Sequence, residues 1–198
     1  MQMQDEILKI MPKPPREIQL AHIITASKLE KNRDYVKKDS HALAEAGFQV
    51  QEVDIAGMTQ AEVRLALKNT EVLYVQGGNT FYLLQQARAS GFDKVAKELI
   101  NRGVIYIGVS AGSYIACPTI EMATWEHQDR NRVGLEDFSA FNLVPFLVTV
   151  HYTPKYRQVL KAAIARAKYP VKILTDEQAI LVRDGKVKLV GSGREKRL

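Results

Sequence analysis

The most informative part of this 198-residue chain is Tyr106-Ile107-Gly108-Val109-Ser110-Ala111-Gly112-Ser113-Tyr114-Ile115. Its beginning, together with Val104 and Ile105, is an apolar run rich in branched and aromatic side chains, which is typical of a strand buried on both faces. Small residues then form the pattern G-x-S-x-G, and the apolar residues after it suit the start of a helix. A sharp turn from strand to helix needs such glycines and exposes the central side chain. We therefore predict that Ser110 lies at a helix N-terminus, where backbone N–H groups favour an oxyanion.

A plainer interpretation is that these small residues only allow a strand and a helix to pack closely. A single G-x-S-x-G pattern does not decide between the two interpretations. The remainder of the chain has to be considered before a nucleophile is assigned.

Strands and helices alternate along the whole chain. Predicted strands cover residues 18–25, 48–55, 71–76, 104–107, 141–150, 171–174, 179–183 and 186–190. Predicted helices cover residues 1–11, 32–46, 60–68, 81–90, 93–102 and 155–167, with a further helix after Ser110. This alternation predicts one domain over residues 1–198, a three-layer α/β/α sandwich with a mostly parallel sheet.

Composition narrows the class of protein. Hydrophobic residues make up 46% and charged residues 25% of the chain, which is ordinary for a globular protein with a sizeable core. No apolar run approaches the roughly 20 residues of a membrane span, and residues 1–11 lack the basic and apolar regions of a signal peptide. We expect a cytoplasmic protein without a membrane partner. The single cysteine, Cys117, excludes an intramolecular disulfide and a cysteine-built zinc site.

The net charge of +6 raises the question of nucleic-acid binding. The basic residues are spread over the predicted helices, and part of the excess lies in residues 194–197. Neither zinc-finger spacing nor an RNA-binding aromatic motif accompanies them. We therefore expect no nucleic-acid partner, while a modest attraction for acidic small substrates remains compatible with the charge.

A second glycine-bearing turn, Gly77-Gly78, follows the predicted strand 71–76. Both turns should open at the carboxyl edge of the sheet, where ligand sites of α/β proteins lie. The backbone N–H groups of Gly78 and Ala111 would then form an oxyanion hole. The alternative is a plain tight turn. The G-x-G-x-x-G pattern of dinucleotide-binding folds is absent, and no phosphate-binding lysine follows.

A serine nucleophile needs a base, and the chain has four histidines. His151 follows a predicted buried strand and enters a turn, which makes it the best candidate. His41 falls within an exposed helix and His22 within a core strand. His127 lies in the polar loop of residues 119–140 and is the main competitor for a role.

The acid that orients the histidine is expected from that same loop. Glu121, Glu126 and Asp129 are all candidates. A metal site built from histidines and these carboxylates is conceivable, but no ligand spacing supports it. We expect no metal and no other cofactor.

A series of motifs in order closely resembles the peptidase E family, the S51 group of serine peptidases, which has aspartyl dipeptidase and cyanophycinase as relatives. The matching motifs are Q-G-G-N-T-F-x-L-L at 76–84, Y-I-G-V-S-A-G at 106–112, A-C-P-T-I at 116–120, and F-S-A-F-N-L-V-P at 138–145 followed by His151. The resemblance is strong over residues 70–151 and weaker elsewhere. It implies a serine peptidase acting on small peptides.

The resemblance also implies roles for individual residues. Ser110 would be the nucleophile, His151 the base, and Gly78 and Ala111 the oxyanion donors. The family's acid follows the serine at a distance that falls on Glu126. An alignment shifted by one residue would place Trp125 at the position of the acid.

Substrate recognition follows the same comparison. Aspartyl dipeptidases have an arginine after the catalytic histidine that is associated with the substrate's aspartate. This chain offers Lys155 or Arg157 at the corresponding place, and Asn79 is expected beside them as a substrate-binding residue. The hypothesis is a preference for dipeptides with an N-terminal acidic residue, although a lysine provides a point charge instead of a bidentate fork.

The chain departs from the family at its start, where a helix and a proline-rich turn stand in place of a short strand. We therefore consider that the family's first strand is absent, and we expect a homodimer that covers the additional apolar surface. Two other functions stay open, namely a catalytically silent binding or regulatory module and a related amide hydrolase with another substrate. A glutamine-amidotransferase-like enzyme is disfavoured because His151-Tyr152-Thr153 lacks a His-x-Glu pair.

Overall fold

The structure, a computed structural model, describes residues 3–125 and 129–198. A four-stranded parallel sheet in the order β2-β1-β3-β4 forms its centre. These strands are β1 (Gln19–Ile23), β2 (Gln49–Val53), β3 (Val72–Val75) and β4 (Ile105–Gly108). The helices are α1 (Gln4–Ile10), α2 (Asp34–Glu45), α3 (Gln60–Ala66), α4 (Thr80–Ala89), α5 (Phe92–Asn101), α6 (Ala111–Ala116) and α7 (Arg157–Ile164). The predicted α/β class with a mostly parallel sheet is confirmed.

Helices cover both faces of this sheet because successive strand residues point to opposite sides. On β3, Val72 and Tyr74 face a smaller core that includes residues of α1 and α2. Leu73 and Val75 face the larger core, which includes residues of α3, α4, α5 and α6. Two cores on opposite faces account for the three layers, and strand β1 in the interior of the sheet contributes to both.

The sequence also specifies where several helices start. Helix α3 begins with the predicted capping box, in which the Thr59 hydroxyl accepts from the Glu62 N–H and the Glu62 carboxylate accepts from the Thr59 N–H. Helix α4 is capped by Asn79, whose side-chain oxygen accepts from the Tyr82 N–H at 3.0 Å. Since α4 follows β3 directly, this cap fixes the turn that contains Gly77 and Gly78.

The last third of the chain forms two smaller sheets. Strands β5 (Leu147–Thr149) and β6 (Val171–Ile173) are parallel, and β7 (Gln178–Arg183) and β8 (Lys186–Gly191) form an antiparallel hairpin. Asp184 and Gly185 at the hairpin tip both have positive φ, as the predicted turn requires. These elements bring the segments after β5 and β6 to one edge.

The predicted strand over residues 141–150 is wrong in its first half. Phe141 and Leu143 donate instead to carbonyl groups at the end of helix α6, those of Ile115 and Ala116. Asn142 has a positive φ of 52°, and Pro145 has no N–H to donate to a ladder. Only the final part of the segment is therefore a strand.

Residues 119–140 form the irregular loop that was predicted, as far as it is described. A 3-10 turn spans Glu121–Thr124, and an isolated bridge joins Thr119 to Ser139. Among the helices of the described ranges, none is both long and apolar enough to cross a membrane.

Candidate active site

Ser110 lies on a strained turn between β4 and α6. Its backbone has φ 49° and ψ −109°, a combination that costs a residue with a side chain on the order of 1–3 kcal/mol. Glycine is required on either side of Ser110 because a side chain at these positions would have no room. A Cβ at Gly108 would lie 2.6 Å from the Gly112 carbonyl carbon, and one at Gly112 would lie 2.1 Å from the Val75 oxygen. Helix α6 therefore packs directly on β3 and β4, and the turn has the geometry predicted for a nucleophile.

Hydrogen bonds within the turn hold this geometry. The Ser113 hydroxyl donates to the Gly108 carbonyl at 2.7 Å, and the Tyr106 hydroxyl donates to the Gly112 carbonyl at 2.7 Å. Both bonds cross between the end of the strand and the first turn of the helix. The serine is thus fixed from both sides of the bend.

The Gly77-Gly78 turn lies against Ser110, as predicted. A Cβ at Gly77 would lie 2.9 Å from the Ser110 Cβ. Gly78 has φ 139°, and a Cβ there would lie 2.3 Å from the Ala26 oxygen, so a side chain has no room. In the described ranges, the N–H groups of Gly78 and Ala111 donate to no protein acceptor. The two predicted oxyanion donors are therefore available at adjacent turns.

His151 meets Ser110 two residues after the end of β5. Its Nε2 lies 3.0 Å from the Ser110 Oγ. The residue has a positive φ of 60°, which turns the chain out of the strand, and its side chain is 48% exposed. The structure thus brings together the two residues predicted as nucleophile and base, at a distance suited to proton transfer.

The carboxylate next to His151 is Asp176, which the sequence reasoning missed. Its Oδ1 lies 2.5 Å from the His151 Nδ1. Because a carboxylate can only accept, this contact assigns the ring hydrogen to Nδ1 and leaves Nε2 free to accept from the Ser110 hydroxyl. In the described structure His151 therefore lies between Ser110 and Asp176, which is the order of contacts that a nucleophile, a base and an acid would need.

Backbone pairing beyond β5 and β6 brings the two residues together. The Leu174 N–H donates to the Thr149 carbonyl at 2.8 Å, and the Tyr152 N–H donates to the Leu174 carbonyl at 3.0 Å. A signal for this arrangement was present in the sequence. Asp176 follows a predicted strand, and the carboxyl ends of parallel strands lie at one edge of a sheet.

Two of the three acids predicted from the loop, Asp129 and Glu121, lie among the described residues. Glu126, like the competing His127, lies outside the described residues, so its role stays a prediction. Asp129 accepts from the Thr80 N–H at 2.9 Å and from the Thr80 hydroxyl. Burial raises the pKa of Asp129, while those hydrogen bonds and the charge of His151 oppose the rise. Glu121 lies in the 3-10 turn and makes no hydrogen bond to His151.

The predicted substrate-binding residues differ in their surroundings. Asn79 is 2% exposed, caps α4 and donates through its side-chain nitrogen to the Arg130 carbonyl at 2.9 Å. These contacts give it a role in the scaffold. Lys155 and Arg157 are exposed in the turn and helix after His151, and the Lys155 Nζ lies 4.6 Å from the centre of the Tyr156 ring. Contact of any of the three with a substrate stays a prediction.

The other described histidines are accounted for by local structure. His22 is fully buried, with Nδ1 2.8 Å from the Ser40 hydroxyl and Nε2 3.1 Å from the Gln76 side-chain oxygen. Burial lowers the pKa of His22, although Gln76 and nearby carboxylates oppose this effect. His41 is exposed beside Glu45. Both fit their predicted positions in core and surface.

Neither a reactive thiol nor a metal cluster competes with Ser110 in the described ranges. Cys117 is buried, and burial raises the pKa of its thiol to about 12, so the thiolate is scarce at neutral pH. No group of three histidine, cysteine, aspartate or glutamate residues within 3–125 and 129–198 is arranged to hold a metal ion.

Comparisons with known proteins find similarity to peptidases. The chain is 34% identical over 169 residues to an uncharacterized peptidase of Listeria monocytogenes, covering 83% of this chain and 82% of that one. An uncharacterized peptidase of Pasteurella multocida is 34% identical over 168 residues, with coverage of 83% and 81%. Peptidase E of Shigella flexneri serotype 5b is 36% identical over 120 residues, which span 61% of this chain and 49% of that protein.

A solved structure has the same fold. A crystal structure from Listeria monocytogenes EGD-e, described as a candidate peptidase E protein, superposes with a TM-score of 0.85 at 30% identity and covers 97% of this chain and 94% of that one. The sequence model of peptidase family S51 matches residues 1–190. The chain therefore belongs to peptidase family S51.

Proposed function

We propose that this peptidase cleaves short peptides by a serine mechanism in which Ser110 forms an acyl-enzyme. The observation that carries the proposal is the chain of contacts through His151, with 3.0 Å from Nε2 to the Ser110 Oγ and 2.5 Å from Nδ1 to Asp176. A serine hydroxyl is a weak nucleophile unless a neighbouring base takes its proton. His151 is in position to act as that base.

The first step is attack of the Ser110 Oγ on the carbonyl carbon of the scissile bond, with transfer of the hydroxyl proton to the His151 Nε2. The carbonyl oxygen becomes an oxyanion, and the N–H groups of Gly78 and Ala111 are the donors proposed to bind it. Preorganised donors of this kind typically contribute about 10²–10³ in kcat each. The rigid glycine turns described above support this role because their donors need no rearrangement.

The imidazolium then protonates the leaving amine, and the peptide bond breaks to give the acyl-enzyme. Asp176 stabilises the positive charge of the imidazolium and keeps the ring oriented. A water molecule enters, gives a proton to the His151 Nε2 and attacks the acyl carbon. Release of the acid regenerates the Ser110 hydroxyl.

The proposed substrates are dipeptides and other short peptides with an acidic first residue. Lys155 and Arg157 support this preference, since both are exposed cations within six residues of His151 in sequence. An exposed pair of unlike charges contributes about 0.2–1 kcal/mol, so the preference should be modest.

Labelling with a fluorophosphonate probe tests the mechanism, because only an activated serine reacts. We expect one equivalent of label on Ser110, identified by peptide mass spectrometry, and none in Ser110→Ala. A screen against dipeptides varied at the first residue then tests the substrate class. Absence of labelling together with absence of turnover would favour a silent binding module on the same fold.

We also propose that the protein is a homodimer, an expectation that rests on the family resemblance. Sedimentation at micromolar concentration should give about twice the chain mass of 22.3 kDa. A species of the single-chain mass would refute it.

A further inference from the structure

Asp176 lies in a short turn, residues 174–177, between the end of β6 and the start of β7. The Asp176 side chain is 61% exposed and, within the described ranges, forms its hydrogen bond with His151. Packing around the carboxylate therefore does little to fix it. Its position depends on how the backbone of this turn, called here the acid turn, is held.

The side chain of Gln178 holds one end of the acid turn. The Gln178 side chain is buried, at 7% exposure, in a region where most neighbours are partly exposed. Its side-chain oxygen accepts from the Thr175 N–H at 3.2 Å, and its nitrogen donates to the Arg194 carbonyl at 3.1 Å. One buried amide thus joins the residue before Asp176 to the segment that follows β8.

Gly191 and Ser192 hold the other end of the acid turn. The Ser192 N–H donates to the Glu177 carbonyl at 3.0 Å. Gly191 has φ 93°, and a Cβ there would lie 2.0 Å from the same Glu177 oxygen. The Thr175 side of Asp176 is therefore joined to Arg194 through the Gln178 amide, and the Glu177 side contacts Ser192 and the end of β8 directly.

The segment after the hairpin is itself attached to β6. Lys196 forms an antiparallel bridge with Ile173, and the Lys172 Nζ lies 2.5 Å from the Glu195 carboxylate. Residues 191–197, called here the C-terminal clamp, thus run alongside the strand that leads into the acid turn. All of the clamp lies beyond residue 190, the last residue that the family S51 model matches.

We propose that Gln178 is a positioning residue for the proposed reaction, which together with the C-terminal clamp holds Asp176 against His151. This inference rests on the proposed function, since it assigns Gln178 an effect only through the acid. Gln178 does not contact Ser110 or His151 in the described structure and takes no part in proton transfer. Its contribution is to keep an exposed carboxylate at hydrogen-bonding distance.

The experiment compares Gln178→Leu and Gly191→Ala with a matched control, Gly185→Ala. Gly185 lies in the same hairpin with φ 71°, but a Cβ there would meet nothing within 4 Å. Both alanine variants therefore carry the strain of positive φ, and only Gly191→Ala pushes on the acid turn. We expect kcat to fall about 10- to 100-fold in Gln178→Leu and Gly191→Ala, with KM unchanged, because small misplacements of a catalytic group have effects of this size.

A double-mutant cycle separates positioning from general structure. In an Asp176→Asn background the acid is already lost, so Gln178→Leu should lower kcat by less than about twofold further. An equal loss in both backgrounds, or an unchanged kcat in the single variants, would overturn the inference. Thermal unfolding identifies a variant that does not fold, and Gln178→Glu, which keeps the acceptor and loses the donor, then takes its place.

Failure of the inference is distinct from failure of the proposed function. If Ser110 is labelled and Asp176→Asn is impaired while the Gln178 variants are normal, only the role of Gln178 is wrong. If Ser110→Ala keeps full turnover, the serine mechanism is wrong and the inference falls with it.

Discussion

Within residues 3–125 and 129–198, two groups of serine, histidine and carboxylate can be compared, and they differ in the order of their contacts. In the group around the buried His22, the His22 ring contacts Ser40 at 2.8 Å, and the Ser40 hydroxyl donates to Glu52 at 2.5 Å. The serine therefore lies between the ring and the carboxylate. At the sheet edge, His151 lies between Ser110 and Asp176.

The difference shows what residue types alone do not specify. A serine that already donates to a carboxylate has no proton to give to the imidazole, and a carboxylate that does not touch the ring cannot orient it. Access differs as well, because His22 is 0% exposed whereas the His151 side chain is 48% exposed. The order of contacts, the strained backbone at Ser110 and exposure together separate a reactive site from a structural one.

The largest expected effect is the difference in kcat between replacing Ser110 and replacing Ser40. Ser110→Ala should lower kcat by about 10⁴-fold or more while leaving the fold intact, because the hydroxyl is the proposed nucleophile. Ser40→Ala should leave kcat close to that of the unmutated protein and cost about 1 kcal/mol of stability through its lost hydrogen bonds. Steady-state kinetics and urea unfolding measure the two quantities. A strong loss of kcat in Ser40→Ala would break the distinction between the two groups.

The next effect concerns the acid. Asp176→Asn should lower kcat by about 10²- to 10⁴-fold, since an amide neither stabilises the imidazolium nor fixes the tautomer. Glu126→Gln, which removes the acid predicted from the family resemblance, should have a much smaller effect. The two variants are compared at saturating substrate. If Glu126→Gln proves the more damaging change, the acid assigned from the sequence is correct and the contact of Asp176 is incidental.

A smaller expected effect is a pH dependence of the folding stability, which arises from the burial of His22. Burial lowers the pKa of His22 in the folded state below the ordinary value of 6.5. The unfolded chain therefore binds a proton first as pH falls, so stability should decrease below about pH 6.5, by at most about 1.4 kcal/mol per pH unit for one group. Above that pH both states are neutral and the contribution vanishes.

Urea unfolding at pH 7.5 and 5.5 measures this dependence. His22→Gln should lose less stability between the two values than the unmutated protein, and His41→Gln, which replaces an exposed histidine, is measured beside it as a control. Equal pH dependence in all three proteins would mean that His22 does not couple proton binding to folding.

The smallest expected effect concerns the exposed lysines in the segment that follows His151. Lys155→Ala should raise KM for peptides with an acidic first residue by up to about fivefold, because exposed ion pairs are weak. The preference should also decrease with added salt, which screens such charges. Lys161→Ala, an exposed lysine on α7, gives the same change in net charge as a control. Equal cleavage of Asp-Leu and Ala-Leu dipeptides by the unmutated protein would eliminate the acidic preference and leave the serine mechanism standing.

Much of this arrangement could be predicted from local sequence. The strand, glycines and serine at residues 104–112 define their own geometry, and the G-G turn after residue 76 does the same for the second set of donors. His151 was identifiable because it follows a buried strand. In each case the chemistry and the backbone conformation are encoded within a few neighbouring residues.

The acid could not be assigned in that way. Asp176 reaches His151 through the pairing of β5 with β6, which are separated by helix α7, so its partner is set by tertiary contacts. The over-long strand prediction at 141–150 failed for a related reason. Its first residues pair with the end of α6, a partner that periodicity does not reveal.

The order in which the site's residues occur along the chain has a consequence for synthesis. Ser110 and both proposed oxyanion donors leave the ribosome long before Asp176, and the clamp that holds Asp176 comes later still. A nascent chain that already includes the serine turn therefore still lacks the proposed acid. Proteolytic activity is therefore expected only after Asp176 and the clamp have been synthesised, so that chains terminated before Asp176 should not act as peptidases.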